Sequence, residues 1–271
     1  MSTSDTGRAQ LRRLQSLGLR VRLLRSLRDV DTAQDAAEVA QVAPRTGFAR
    51  LHRQMTSDAL PPLSLYDVAL AGHPVDIEER SSSGPARRYR PLPVADWQTV
   101  GAADELMLSR CEGPVLDIGC GPGRLVEFLA AQGIPALGID ISEAAVSQTA
   151  ARGGPVLRRA VQHRLPAEGR WGTVLLADGN IGIGGDVRAL LARCRALLRP
   201  GGLALVETDL DDEAHDLTTV VLRWGHRTSA PIPWVRAGAH TVSRLGAELG
   251  FVTVEDWRVD GREFVSLRRL A

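Results

Sequence analysis

Lysine is absent from the 271-residue chain, whose 33 basic residues are all arginine. A Schiff-base lysine and a lysine-bearing phosphate loop are excluded with it. Cysteine is scarce: Cys111, Cys120 and Cys194 lie far apart with no C-x-x-C pair. That spacing argues against a disulfide framework and against a zinc site, and it fits buried thiols in a reducing cytoplasm. No apolar run approaches the roughly 18 to 20 residues of a membrane span. The Arg-rich start has neither the apolar stretch nor the cleavage site of a secretory signal. The expected location is therefore the cytoplasm, without a membrane partner. Charge bias is missing too, since 33 basic residues face 32 acidic ones for a net charge of +1, and nothing global points to nucleic acid.

What the chain does contain, at 44% hydrophobic residues, is enough for one sizeable core or two small ones. From residue 115 short apolar runs alternate with helical patterns, the mark of an α/β domain with a mostly parallel sheet. Val115 to Ile118 reads as a strand, followed by a glycine turn and a helix with Leu125, Phe128 and Leu129 at i, i+3, i+4 that Gly133 ends. Ala136 to Ile139 forms a second strand, ending at Asp140, and Ser142 is placed to cap the next helix. Pro155 to Val161, Thr173 to Ala177 and Leu203 to Val206 supply three more strands, with a helix over Val187 to Leu198. Phe251 to Trp257 and Glu263 to Leu267 flank Asp260-Gly261, a tight-turn dipeptide, and read as an antiparallel hairpin.

The first 114 residues are less regular. Ala9 to Leu17 reads as a helix, Leu19 to Leu23 as a strand, and Asp31-Thr32 as the cap of a helix through Val42. Arg80 to Pro85, with Arg87 and Arg88, reads as a solvated loop. The stretch Gly18 to Ala43, with Leu27 to Thr32 at its centre, resembles the C-terminal tail of a bacterial glycosyltransferase-like family. That resemblance implies a fusion remnant or a misassigned start in residues 1–55. The competing reading is a helical cap that belongs to the rest of the protein.

The most informative segment is Asp117-Ile118-Gly119-Cys120-Gly121-Pro122-Gly123-Arg124, which places three glycines at alternate positions between a strand and a helix. Missing side chains let a ligand approach the backbone, and such a turn is expected to aim free N–H groups at an anion such as a carboxylate. Asp140 ends the next strand 23 residues after Asp117, where its carboxylate can accept from both ribose hydroxyls of a nucleoside. A dinucleotide fingerprint would need glycine at position 124, where the long Arg124 would obstruct close helix–sheet packing.

The D-x-G-x-G-x-G pattern, with Leu198 to Gly202 before the fifth strand and the closing hairpin, strongly resembles the class I S-adenosylmethionine-dependent methyltransferases over residues 113–269. The resemblance implies a Rossmann-like, mostly parallel seven-stranded sheet with an antiparallel last strand, preceded by a mainly helical extension. It divides the chain into an extension (1–55), a substrate-side cap and linker (56–112) and an S-adenosyl-L-methionine-binding domain (113–271) whose insertion at 208–241 acts as a lid. It places Gly119, Cys120, Gly121 and Gly123 at the methionine part of the cofactor, Asp117 near its ammonium, Asp140 on the ribose and Ile141 beside adenine. The family's usual acid after the third strand is missing at Ala160-Val161-Gln162, so Gln162, His163 or backbone groups stand in for it.

The loop Asp178 to Asp186 follows the fourth strand and holds the sole asparagine, Asn180. Asp178 and Asn180 are counted with the cofactor residues, since loops at the carboxyl ends of strands form the ligand crevice of such sheets. Motifs of nucleic-acid base methylation are absent, so the expected partner is a small-molecule acceptor of specialised metabolism, methylated on oxygen or nitrogen. A base is needed only for an acceptor that is protonated at the working pH. His163, His226, His240 and Glu207 are the candidates, each equally at home as an ordinary polar residue. In the insertion Trp224, Trp234 and Arg236 are candidate substrate contacts, or a lid packed by its own tryptophans. No metal is assigned to the acidic run Asp209 to Glu213. A nicotinamide-dependent oxidoreductase and a noncatalytic S-adenosylmethionine-binding module are the alternatives.

Overall fold

The computed structural model describes residues 12–18, 33–56, 59–81 and 87–271. The start of the expected first helix, the strand Leu19 to Leu23, the capping pair Asp31-Thr32 and most of the Arg80 to Pro85 loop lie outside them. Contacts divide the chain into two units, Met1–Ser57 and Asp58–Ala271. The first holds α1 (Ala33–Val42) and α2 (Gly47–Thr56). Thr46 caps α2 by accepting the Ala49 N–H at 3.2 Å, which satisfies a donor that the helix start leaves open.

The second unit begins with α3 (Pro62–Leu70), β1 (Asp76–Ser81), β2 (Arg87–Pro91) and α4 (Ala102–Leu108). The alternating series follows: β3 (Val115–Ile118), α5 (Arg124–Ala131), β4 (Ala136–Asp140), α6 (Glu143–Ala151), β5 (Val156–Arg158) and β6 (Trp171–Leu176). Then come a 3-10 segment (Asn180–Gly185), α7 (Val187–Leu197), β7 (Leu198–Thr208), β8 (His215–Trp224), β9 (Arg227–Thr228), β10 (Ile232–Ala237), α8 (Ala239–Glu248), β11 (Phe251–Val259) and β12 (Arg262–Arg269).

Seven strands form one sheet in the order β11-β12-β7-β6-β3-β4-β5. Only β12 runs against its neighbours, pairing antiparallel with both β11 and β7. Asp260 and Gly261 both adopt positive φ at the hairpin, as a tight turn between twisted strands demands. Strands β3 and β6 are buried along their whole length because helices cover both faces, so they read as continuous apolar runs rather than alternating ones. Successive residues of β6 serve opposite cores: Val174 and Leu176 pack in one cluster with Leu191 and Val242, and Leu175 in the other with Leu125, Met107 and Phe264. Ser142 caps α6 and Asp186 caps α7, each accepting the N–H three residues on, at 3.0 and 2.9 Å.

The described part of the expected extension is helical; a second sheet, built outside residues 1–55, was not among the expected elements. Strands pair in the order β10-β8-β1-β2, with β9 on β8, so the 56–112 segment and the 208–241 insertion contribute strands to one antiparallel structure. Glu78 and Glu79 on β1 face Val221 and Val220 of β8 across the ladder. Neither β1 nor β2 shows apolar alternation, which is why the sequence does not mark them. One face of this sheet packs Ile77, Leu222, Val220 and Ile232 over Leu65 and Ala69 of α3. Its β10 strand seats on the 3-10 segment, where a methyl group added at Gly182 would lie 2.2 Å from Trp234 Nε1 and 2.5 Å from the Val235 carbonyl.

Gly182→Ala is therefore expected to cost about 1 to 3 kcal/mol through overpacking. Hydrogen exchange should speed up in residues 215–237 and stay unchanged in β3 and β6; uniform acceleration would show that the two sheets do not separate in this way.

Candidate active site

The glycine turn sits at the carboxyl end of β3, and its three glycines have φ of +72°, +55° and +90°, a region side chains disfavour. Two of them are also required by the protein's own packing. A Cβ on Gly119 would meet Asn180 at 2.7 Å and one on Gly123 would meet Thr149 at 2.5 Å, whereas Gly121 faces only the Tyr66 hydroxyl, at 3.5 Å. The expected free N–H groups are not in the turn. Gly119 and Cys120 both donate to the Ile139 carbonyl, and Gly123 donates to Cys120. Gly121 donates to Asp140 Oδ2 at 3.1 Å. The open donors are instead those of the first turn of α5, whose start no side chain caps.

Asp117 lies under this turn, 1% exposed, with Oδ2 lacking any hydrogen-bond partner. Burial pushes its carboxyl up to about 7 against the pull of Arg124. An orphaned buried oxygen is costly unless something pairs with it. Asp140 closes the rim: its Oδ1 accepts the Ser142 N–H at 2.8 Å, and burial raises its carboxyl above the usual range. The Cys120 side chain fills the space over Gly138, and burial raises its thiol.

Around Asp117 runs a network of two arginines and three acids. Arg124 is 4% exposed; it does not obstruct packing but forks onto Asp104 of α4, at 3.0 Å through Nε and Nη2, and onto Asp178 at 2.7 and 3.0 Å. Arg262 of β12 binds Asp104 at 2.7 Å and Glu207 at 2.8 and 2.7 Å. Glu207 also accepts the Asp178 N–H at 2.5 Å, which holds Asp178 at φ +54°.

Beyond the loop after β6 a cavity of about 540 Å³ opens between the two sheets, lined among others by Gly179, Ile181, Glu207, Asp209, Glu79 and Arg236. One loop serves both places. Asn180 Nδ2 donates to the carbonyls of Ile118 and Gly119 at 2.9 and 3.0 Å, and Gly179 beside it lines the cavity.

The expected residues thus sort by position. Asp117, Gly119, Gly121, Gly123, Asp140 and Asn180 come together at the turn. Asp178 stands beside them with its carboxylate given to arginine. Ile141 is exposed at the rim. Gln162 and His163 are exposed on the loop after β5. Of the four candidate bases only Glu207 lines the cavity. His226 is exposed at the turn between β8 and β9, and His240 lies 2.5 Å from Glu213 outside it. Trp224 packs against His73 at 5.3 Å and Trp234 against the 3-10 segment, so both serve the second sheet's packing. Arg236 lines the cavity, held by Asp209 at 2.8 and 2.9 Å.

Sequence reasoning did not single out Tyr66, Asp104 or Arg262. Tyr66 of α3 lies over Gly121, against Trp97 at 6.1 Å. Burial, then the negative charge of Asp140, raises its phenol well above 10. α3 is pinned there by Ser142 Oγ donating to Asp67 at 2.5 Å and Gln148 donating to the Leu70 carbonyl at 2.8 Å.

A family model described as a methyltransferase domain matches residues 101–256. Ubiquinone biosynthesis O-methyltransferases of Rhizobium rhizogenes and Rhizobium etli are 39% and 37% identical over 99 residues, 35% of this chain and 40% of each relative. The match thus spans about two-fifths of the length of these relatives. A solved S-adenosylmethionine-dependent methyltransferase from Bacteroides fragilis, in complex with S-adenosyl-L-homocysteine, superposes with a TM-score of 0.63 at 20% identity, covering 79% of this chain and 96% of that one. The fold is shared at that distance.

Two outcomes test the electrostatics. Removing a guanidinium with Arg124→Met should cost about 3 to 5 kcal/mol in denaturant unfolding, the usual penalty for breaking a buried pair; a loss below 1 kcal/mol would mean that Asp104 and Asp178 do not depend on it. The Asp117 carboxyl titrates near 7 when folded against an ordinary 3.8. Across that window the folded state holds a proton that the unfolded chain has released, so stability falls as pH rises. The ligand-free protein should melt lower at pH 8 than at pH 5, and Asp117→Asn should flatten this difference; equal slopes for both proteins would refute the assignment.

Proposed function

The chain belongs to the methyltransferase-domain family, and on that premise we propose that it methylates an oxygen or nitrogen of a small molecule with S-adenosyl-L-methionine. The observation that carries this reading is the unpartnered Asp117 oxygen beneath the glycine turn, a site made for a cationic donor group such as the cofactor's ammonium. Asp117 would hold that ammonium, and the first-turn N–H groups of α5 its carboxylate. The two Asp140 oxygens, each with lone-pair capacity left after one backbone bond, would take the ribose hydroxyls. Ile141 would flank the adenine, and Tyr66 covers the turn from above.

The cofactor supplies a methyl group already activated on a sulfonium. What this chain adds is placement. The loop Asp178 to Asn180 fixes the turn and the cavity wall at once, and holding a nucleophile in line can contribute about 7 to 11 kcal/mol. Glu207 stands at the cavity to orient a hydroxyl or amine, its own position set by Arg262 and the Asp178 N–H. The cavity volume suits a small organic acceptor rather than a nucleic acid. The three free cysteines suit a reducing cytoplasm. Neither the nicotinamide reading nor a noncatalytic role has an observation in its favour.

Calorimetric titration with S-adenosyl-L-methionine tests the placement. Asp140→Ala should weaken binding at least about tenfold, since hydrogen bonds to a charged group contribute about 1.5 to 3 kcal/mol. Unchanged affinity would overturn it.

A further inference from the structure

The cavity is polarised. By register, Glu79 pairs with Arg88 and Ile77 with Arg90, and alternate residues share a face, so Arg88 and Arg90 point the same way as Glu79. Ile77 pairs with Leu222 of β8, and Asp216, six residues before it on that strand, with Arg236, which puts Arg236 on this face too. All four line the cavity, giving the wall three guanidiniums against one carboxylate. The end of β7 adds Glu207 and Asp209 to the lining, with Asp209 seated against the wall on Arg236.

The acids of the cavity are already engaged. Glu79 accepts Arg90 at 2.8 Å, Asp209 accepts Arg236 at 2.8 Å, and Glu207 accepts Arg262 at 2.7 Å. The arginines are not used up: a guanidinium has five N–H donors, and Arg90 and Arg236 each give two nitrogens to their acids. Arg88, exposed at the rim, makes no ion pair among the described residues.

We infer that the molecule held in this cavity is a small hydroxy- or amino-carboxylate, its carboxylate on the Arg88–Arg90–Arg236 wall and its hydroxyl or amine at Glu207. Calling it the methyl acceptor rests on the reading above; the carboxylate site itself does not. A planar carboxylate matches the guanidinium fork, and a monoanion suits a chamber that also holds three acids better than a dianion such as a phosphate ester does. The orientation leaves the hydroxyl or amine beside Gly179, on the loop that reaches the glycine turn.

The probes are 4-hydroxybenzoate, its uncharged counterpart 4-hydroxybenzamide and phenyl phosphate, titrated by calorimetry into the full chain with and without S-adenosyl-L-homocysteine. The carboxylate should bind at least about tenfold tighter than the amide and tighter than the phosphate ester. Arg88→Met and Arg236→Met should each erase most of that preference while melting as folded proteins. Equal binding of acid and amide, tighter binding of the phosphate ester, or homocysteine-cofactor binding with no binding of the acid would each overturn the inference. Arginine-dependent binding of the acid without any binding of S-adenosyl-L-homocysteine would leave the carboxylate site standing and remove the methyl-transfer reading instead.

Discussion

Five charged side chains hold this molecule's crevice in shape. Arg124 and Arg262 come from distant parts of the second unit, one at the start of α5 and the other on the closing hairpin, and share Asp104 between them. Through Asp178 and Glu207 the same two guanidiniums fix the loop after β6 and the end of β7. Carboxylates cluster here because the carboxyl ends of parallel strands carry the ligand-binding loops, and their mutual repulsion needs a counterweight inside the protein. An ammonium is a point charge; the planar fork of arginine can serve two carboxylates at once. A chain with no lysine is suited to this construction. Asp117 stays outside the pairing, close enough to Arg124 to feel it and too enclosed to be satisfied by it. The scaffold is thus rigid around one group left for a visitor.

What could be read in advance follows from how local each signal is. The glycine turn, the Ser142 cap and the Asp260-Gly261 hairpin are set by residues within a few positions of one another, and all three stand where the pattern puts them. The N–H groups of Gly119, Cys120 and Gly121 were misjudged because their acceptors lie on β4, a neighbouring strand. Arg124 looked like an obstacle because its partners are 20 and 54 residues away. Asp104 and Arg262 are separated by 158 positions, and no periodicity reports such a meeting. The second sheet was hidden for a related reason. Its β1 strand carries four charged residues and one apolar one, and its cohesion comes from ladder bonds to β8 and from Glu78, which is 0% exposed and paired with three arginines.

The two halves of the crevice are built differently. The half that carries the turn rests on consecutive strand–helix units, short connections and small residues forced by close packing. The half that walls the cavity is assembled from charged side chains on strands contributed by two distant segments. Changes of side chain on the wall leave the turn's supports, Asn180 and Thr149, untouched. Selectivity can drift on such a wall while the shared chemistry is retained.

The discontinuous second sheet has a consequence for biosynthesis. As the polypeptide leaves the ribosome, β1 and β2 emerge more than a hundred residues before β8, whose pairing with β1 includes Asp76 with Arg223. The ligand-facing turn and its parallel strands can assemble while that early hairpin still offers one unfilled edge, a vulnerability of nascent chains that long-range pairing prolongs. The acids of β1 and the arginines of β2 answer this need as well, since charged edges discourage pairing with a stranger until the proper neighbour is translated.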